Sequence, residues 1–323
     1  MKVLITGGAG YIGSHVVKAL GKLGHDIIVL DNLSTGFKEA ITFGRLVVGD
    51  LADEKFVDEL FAKEKFEAVL HFAGSIVVPE SVSNPLKYYS NNTVNSQKLL
   101  NACIKHKCHK FIFSSTAAVY GMTESNTTEE TPTFPINPYG MSKLMTEHML
   151  RDVSAAHPFK YVALRYFNVS GADPEGQIGQ SSPGATHLLK VASEVATGKR
   201  EVIEVFGTDY PTNDGTCVRD YIHVTDLADA HVKALEFLAK GGESQVLNCG
   251  YGHGFSVHEV LTKYQEVTGV KLNIKNGPRR AGDPAVVMSV AQKIRNLLHW
   301  EPKFDDLKII IRTAYEWEKK RHY

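Results

Sequence analysis

Short apolar runs alternate with helically spaced apolar positions through the first half of the chain. Residues 2–6, 26–30, 45–49, 68–73, 110–114 and 161–167 read as strands, each a brief run rich in Val, Ile, Leu and Phe. Between them lie helical patterns. Ile12, Val16, Leu20 and Leu23 recur over residues 11–23, and Gly24 follows as a stop. Residues 53–65 form a second helix with Asp53 as its N-cap. Asn84-Pro85 opens a long helix to about residue 106, and Asn137-Pro138 opens another to about residue 155, because proline suits the first helical position. Strictly alternating strands and helices predict an α/β fold with a parallel sheet covered on both faces. Right-handed crossovers then make it a doubly wound Rossmann-type sheet.

Beyond residue 170 the pattern loosens. Residues 171–182 read as a loop. Residues 187–197, 224–238 and 257–268 look helical, and residues 202–206 and 245–249 look like strands. This divides the chain into a dinucleotide-binding domain, 1–170, and a smaller lobe, 171–323, with a strand able to return to the first domain's sheet and a cleft between the two.

Glycines at the first strand–helix turn suggest what the sheet binds. Gly7, Gly10 and Gly13 stand where a dinucleotide fingerprint requires them, although their Gly-x-x-Gly-x-x-Gly spacing is one residue longer than the common form. In that reading Gly7 makes the turn, Gly10 lets the backbone approach a pyrophosphate, and Gly13 lets the helix pack on the strand. The helix N-terminus supplies free N–H groups. The same glycines would also serve an ordinary turn. Asp31 ends the second strand 18 residues after Gly13, where an acid can take ribose hydroxyls and repel a 2′-phosphate, favouring NAD over NADP. Its alternative is a turn-forming Asp31-Asn32 pair. Asp50, at the end of the third strand, either lies near an adenine or caps a loop.

Tyr139 and Lys143, four apart, share a helix face. An ammonium beside a phenol favours the phenolate. Work at neutral pH requires tyrosine to drop roughly three units from ~10, about 4 kcal/mol. Behind a dinucleotide fingerprint, such a pair points to proton transfer coupled to hydride transfer; a plain surface pair is the alternative.

Composition narrows the picture. Lys+Arg and Asp+Glu are both 36 in 323 residues, so no charge excess advertises nucleic acid or an anionic membrane. No apolar stretch is long enough to span a bilayer, and the N-terminus runs straight into the glycines without a leader. Cys103, Cys108, Cys217 and Cys249 lack zinc or Cys-x-x-Cys spacing and read as reduced thiols of a cytoplasmic protein. No metal site is expected.

With these residues placed, the chain resembles the extended short-chain dehydrogenase/reductases, and among them the UDP-glucose 4-epimerases, over essentially its whole length. The matching stretches are Thr-Gly-Gly-Ala-Gly-Tyr-Ile-Gly-Ser-His (6–15), His-Phe-Ala-Gly (71–74), Phe-Ser-Ser-Thr-Ala-Ala-Val-Tyr-Gly (113–121), Tyr-Gly-Met-Ser-Lys (139–143), Leu-Arg-Tyr-Phe-Asn (164–168), Asp-Gly-Thr-Cys-Val-Arg-Asp-Tyr-Ile-His-Val (214–224) and Arg-Arg-Ala-Gly-Asp-Pro (279–284). The 214–224 stretch is the most specific. The resemblance implies that Tyr139 takes the proton of the sugar 4-hydroxyl while hydride leaves C4 for NAD. Thr116 would bond the same hydroxyl, and Lys143 would contact the nicotinamide ribose and keep the tyrosine acidic. The 4-keto sugar turns over and receives the hydride on its other face, so the net reaction is isomerisation. The implied cofactor site adds Tyr11, Ile12, Asn32, Leu51, Phe72, Ala73, Gly74, Asn91 and Tyr166. The implied UDP-sugar site takes Asn168 beside sugar and diphosphate, His187, Leu188, Val205 and Phe206 around the uridine, Arg219 and Arg280 on the diphosphate, and Asp283 on a ribose. A homodimer pairing helices 84–106 and 139–155 is also implied.

Three departures from the family pattern stand out, of which the second lies beyond the expected active site and matters little. Ile76 stands where family members often carry a lysine near the nicotinamide. The segment 288–293 lacks an acid often found near Val290. Val287 occupies the position that gates space around the sugar 2-substituent; a large tyrosine there restricts the site, so valine leaves room for N-acetyl sugars. A 4,6-dehydratase would place Asp-Glu after the active-site threonine, where this chain has Ala117-Ala118. Epimerases of a UDP-uronate or UDP-pentose, and a redox-dead NAD-binding regulator, are the remaining alternatives.

Overall fold

Strand β1, Lys2–Thr6, sends Val3 and Ile5 to one side and Leu4 to the other, and all three are fully buried. This period of two requires a core on each face of the sheet. A computed structural model describes residues 1–123, 126–280, 283–321 and 323. In chain order its elements begin with β1, α1 (Tyr11–Lys22), β2 (Asp26–Asp31), β3 (Arg45–Val48), α2 (Glu54–Glu64), β4 (Ala68–His71) and α3 (Val78–Ser83). There follow α4 (Pro85–Tyr88), α5 (Asn95–Lys105), β5 (Lys110–Thr116), α6 (Pro138–Ala156), β6 (Lys160–Tyr166) and β7 (Asn168–Ser170). The remainder comprises α7 (Leu188–Ala196), β8 (Ile203–Phe206), β9 (Val218–Arg219), β10 (Tyr221–His223), α8 (Val224–Ala239), β11 (Gln245–Cys249), β12 (Phe255–Ser256), α9 (Val257–Thr268), β13 (Ile274–Gly277), β14 (Val286–Val287), α10 (Gln292–Leu298) and α11 (Leu307–Lys320).

Seven parallel strands form the main sheet in the order β3-β2-β1-β4-β5-β6-β11. The order reverses between β1 and β4, which opens a crevice at their carboxyl ends. Val3, Ile5, Val17, Leu20, Leu227 and Leu235 pack on one face, under α1 and α8. Leu4, Phe61, Leu99, Phe113 and Leu150 pack on the other, under α2, α5 and α6. The strand at 245–249 lies beside β6 in this sheet, while the short pairs β7–β10 and β8–β13 and the trio β12-β9-β14 stand apart from it.

Several expected elements change in detail. The single helix expected from 84 to 106 is interrupted by a π-helical stretch, Tyr89–Val94, between α4 and α5. Its wider turn presents Asn91 to Ser75 Oγ (2.9 Å) and Asn92 Nδ2 to Ser142 Oγ (3.0 Å). Strand β5 runs to Thr116, past the expected end at 114. Strand β4 stops at His71, because the Phe72 and Ala73 amides both donate to the Thr6 carbonyl and turn the chain. Apolar periodicity did not reveal α3, α10 or the short strands β7, β9, β10, β12, β13 and β14, which are too short to carry a period, and the 14-residue α11 was not anticipated either. No helix among the described residues is long and apolar enough to cross a membrane.

Candidate active site

The crevice begins at Gly7. Its φ of +70° suits glycine, and a methyl group there would lie 2.5 Å from the Ala73 nitrogen. A methyl on Gly13 would lie 2.3 Å from the Gly7 carbonyl oxygen. Gly10 precedes α1 with no side chain capping the helix and no acid in its first turn, so the first amides of Tyr11 and Ile12 face outward unclaimed by a cap. Asp31 closes the loop from the next strand: its carboxylate accepts the Ala9 amide at 2.9 Å and the Leu33 amide at 2.8 Å. Burial pushes the Asp31 carboxyl up, and these two amides oppose that shift. Asn32 donates to Asp50 at 2.8 Å, and Asp50 also takes the Ala52 amide, so both stand at the exposed rim while Leu51 is buried beneath them. The cradle, the uncapped helix start and the carboxylate fit a dinucleotide.

Opposite the loop, the sheet presents hydroxyls. Thr116, nearly buried, ends β5 in register with Tyr166 on β6. The Tyr166 hydroxyl meets Ser114 Oγ, and burial pushes its phenol far up. Asn137 accepts the Gly140 amide at 2.9 Å and caps α6, whose first turns carry Tyr139 and Lys143 over the end of β5. Lys143, 3% exposed, donates to the Ser114 carbonyl at 2.9 Å. A methyl on Gly74 would approach its Nζ to 3.5 Å, so Lys143 also adjoins the turn that touches Gly7. Burial lowers the Lys143 amine to about 8.

Tyr139 departs from expectation. Burial pushes its phenol up, with only the Thr116 hydroxyl pulling it down. Lys143 does not act on it, because its ammonium is turned to the Ser114 carbonyl. The expected lysine-driven acidification is therefore not a property of the protein alone. His71 accepts or donates at both ring nitrogens, to Thr6 Oγ1 (2.6 Å) and Ser96 Oγ (2.8 Å); burial lowers it to about 3, and it is a core residue.

The other expected residues divide by place. Tyr11 uses its hydroxyl on the Gly171 carbonyl at 2.6 Å, tying the glycine loop to the second lobe, so only its main chain faces the crevice. Phe72 packs against His231 with centroids 4.8 Å apart and the ring planes tilted by 46°. Asn168 opens β7, and its amide donates to the Asp220 carbonyl at 3.0 Å. His187 Nδ1 accepts Gln180 Nε2 at 2.7 Å immediately before Leu188 opens α7. The Arg280 guanidinium lies over the Phe206 ring at 3.7 Å, and Arg219 meets Asp283 at 3.3 Å. These four therefore gather on one surface. Val205 does not join them: it is 1% exposed, its side chain is in the core, and only its main chain could meet a ligand. Ala281 and Gly282 of the 279–284 stretch lie outside the described residues.

The most family-specific stretch, 214–224, is mostly scaffold. Asp214 closes a turn on the Thr216 amide and hydroxyl. Buried Asp220 accepts the amides of Tyr251 and Gly252 and the Ser289 hydroxyl. His223 caps α8 through the Thr225 amide. These bonds hold Arg219 on β9, opposite Val287 on β14. Periodicity also missed Asn92, whose side chain joins Ser75 to Ser142. An asparagine pair inside a helical pattern was the available signal, since asparagine competes for backbone groups and disfavours helix interiors. Among the described residues no three His, Cys, Asp or Glu side chains group to hold a metal. A depression of about 610 Å³ beside Glu129, Gln245 and Lys293 lies at the amino end of β11, away from Thr116, Tyr139 and Lys143.

Comparison with known proteins agrees with this geometry. A model of the NAD dependent epimerase/dehydratase family matches residues 3–250. The UDP-glucose 4-epimerase of Azospirillum brasilense is 54% identical over 98% of this chain and 92% of its own length. The solved UDP-Glc/GlcNAc 4-epimerase of Campylobacter jejuni superposes with a TM-score of 0.87 at 53% identity, covering 99% of each chain. The UDP-glucose 4-epimerase of Brucella ovis, solved in complex with NAD, superposes with a TM-score of 0.94 at 45% identity, covering 97% of each chain.

Proposed function

As the chain belongs to the NAD dependent epimerase/dehydratase family, we propose that it is an NAD-dependent isomerase that interconverts UDP-glucose and UDP-galactose at sugar C4. One observation carries the reading. Thr116, Tyr139 and Lys143 gather at the carboxyl end of β5, on the same edge of the sheet as the Gly7-Gly10-Gly13 cradle and Asp31. The Brucella ovis relative was solved with NAD. In this chain the glycine loop and the first amides of α1 would hold the NAD diphosphate, Asp31 the adenosine ribose, and Asn32, Asp50 and Leu51 the adenine rim. Phe72, Ala73, Gly74, Asn91 and Tyr166 would line the nicotinamide half. When bound, NAD would supply a hydride acceptor and donor for sugar C4 and a positively charged ring beside Tyr139.

The side chains then have distinct tasks. As the phenolate, Tyr139 takes the sugar 4-hydroxyl proton, becoming the phenol, and gives that proton back after the 4-keto sugar has turned over. Thr116 accepts or donates a hydrogen bond at the same oxygen and holds it toward Tyr139. Lys143 is mostly protonated at pH 7, since its value is about 8, and it bonds a nicotinamide ribose while anchored on β5. Arg219 and Arg280 grip the diphosphate, Phe206 and the main chain near Val205 receive the uracil, and His187, Leu188, Asn168 and Asp283 complete the nucleotide site. The two domains divide accordingly, 1–170 for cofactor and 171–323 mainly for UDP-sugar.

Val287 faces Arg219 across β14–β9 and is small for a gate. The Campylobacter jejuni relative is described as a UDP-Glc/GlcNAc 4-epimerase. Both favour added activity on UDP-N-acetylglucosamine and UDP-N-acetylgalactosamine. One experiment covers both proposals: purified enzyme, without added cofactor, should convert UDP-galactose to UDP-glucose and also turn over the N-acetyl pair. Val287→Tyr should lower kcat/KM for the N-acetyl pair by at least ~10-fold, the scale of a steric methylene-sized contact or more, while sparing the plain sugars. No turnover of UDP-galactose by NAD-loaded protein would refute the main reading, and equal losses on both pairs would refute the gate.

The exposed Leu86, Val94 and Met145, on the helical region 84–106 and on α6, support a homodimer. Sedimentation at micromolar concentration should give twice the chain mass, and a monomer there would exclude it. All four cysteines are buried and unpaired, in keeping with work in the reducing cytoplasm.

A further inference from the structure

One face of α6 meets the sheet at three successive levels. Tyr139 stands by Thr116, and Lys143 donates to the Ser114 carbonyl. Glu147, four residues further on, turns its carboxylate to Ser115 Oγ and to Arg165 of β6. It lies about 12 Å below Tyr139 along the helix axis, outside the reach of any bound sugar. The parity of β5 fits this arrangement. Ser114 points its hydroxyl to Tyr166 on one face, and Ser115 points to α6 on the other.

The third level is a fork. Arg165 Nε lies 3.0 and 3.2 Å from the two Glu147 oxygens, and its Nη2 lies 2.5 Å from Oε2. Arg165 and Glu147 are 6% and 5% exposed. The third nitrogen of the fork, Nη1, donates to the Tyr120 hydroxyl at 3.0 Å, which donates to Asn248 Oδ1 at 2.7 Å. Asn248 in turn donates to the Thr127 carbonyl at 2.8 Å, and Thr127 pairs with the 288–290 segment next to Val287. Every link from Glu147 as far as Thr127 is buried. The motif residues Ser115, Tyr120 and Arg165, which the reaction itself does not use, are thereby accounted for.

A buried ion pair seldom adds net stability over an apolar pair of equal volume, whereas removing one partner alone is strongly destabilising. A bidentate fork fixes both distance and orientation. We propose that Glu147 and Arg165 are a positioning pair for α6: they set the axial register of the helix on β5 and so place Tyr139 against Thr116 and Lys143 against Ser114. This rests on the reading of Tyr139 as the proton-transfer group. A placement error of about 1 Å at such a group can cost 10²-fold in rate.

The test uses the full-length enzyme with its bound NAD. The double variant Glu147→Leu/Arg165→Met keeps the volume and removes both charges. We expect it to retain its melting midpoint and NAD content, with KM for UDP-galactose within ~3-fold of wild type and kcat reduced by roughly 10–100-fold. A folded, NAD-loaded double variant with wild-type kcat would overturn the proposal. If that variant does not fold, Glu147→Gln decides, since it keeps the shape and a hydrogen bond to Ser115. A loss confined to kcat supports positioning, and unchanged kcat refutes it. Wild-type enzyme run in parallel separates the two failures: an inactive wild type sinks the proton-transfer reading, whereas an active wild type matched by its variants sinks only the positioning role.

Discussion

Tyr139→Phe should reduce kcat on UDP-galactose by ~10²–10⁴-fold, the usual cost of removing a positioned proton-transfer group, equal to about 3–5 kcal/mol of barrier. NAD content, read by acid release, should not change. The reason lies in which atoms the hydroxyl touches. Thr116 is the hydrogen-bonding side chain acting on it, and the ring is held independently, edge-on to Tyr88 with centroids 6.5 Å apart. The phenylalanine ring can therefore occupy the same place. The proposed cofactor contacts at the glycine loop and Asp31 lie on other elements, and Lys143 is anchored separately on the Ser114 carbonyl, so these should survive. Loss of NAD from the variant would mean that Tyr139 builds the cofactor site and does not serve the reaction. Retained turnover would mean that another group moves the proton.

Acidification to pH 5 should destabilise the fold by roughly 8 kcal/mol relative to pH 7.5, as read by urea unfolding at matched NAD concentration. Four histidines carry the effect. His15, His71, His223 and His231 are each at most 4% exposed, and burial lowers them to about 4, 3, 3 and 4. In the unfolded chain each titrates near 6.5. Below that value the unfolded state binds protons that the native state refuses. The stabilisation is thus complete above about pH 6.5 and is lost as pH falls toward 4. At pH 5 each site has lost about 1.5 units, or roughly 2 kcal/mol. Burial pushes Asp31, Asp226 and Asp229 up, which works in the opposite sense, but amide hydrogen bonds hold Asp31 and Asp226 back. A domain of ordinary stability has 5–15 kcal/mol in hand, so the loss should be plain. A change of less than ~2 kcal/mol between the two pH values would mean that these rings are protonated within the fold.

The parallel sheet was legible because its strands are buried on both faces and bounded by helices with their own period. Lys2–Thr6, Tyr161 to Tyr166 and Gln245–Cys249 announce themselves by apolar runs that no surface segment would carry. The cofactor turn was legible because glycine at 7 and 13 answers a steric demand that any side chain would violate. Less legible were features decided by partners far away in the chain. The π-helical turn at Tyr89–Val94 exists to satisfy Ser75 and Ser142, and no local period encodes it. Val205 reads as a ligand contact by alignment with relatives, yet its strand turns it into the core.

Residue types and spacing alone determined the α/β class, the strand–glycine–helix turn and the presence of a tyrosine and a lysine on one helix face, since each is a local matter of period or sterics. Only the tertiary structure decided what that pair experiences. Burial raises the Tyr139 phenol, and Lys143 spends its proton on the Ser114 carbonyl. The axial register of their helix on the sheet is set by Glu147 and Arg165, 18 residues apart in the chain and brought together where β6 lies beside β5. Electrostatics depends on which groups meet and how much water they lose, and neither quantity exists until distant segments have packed.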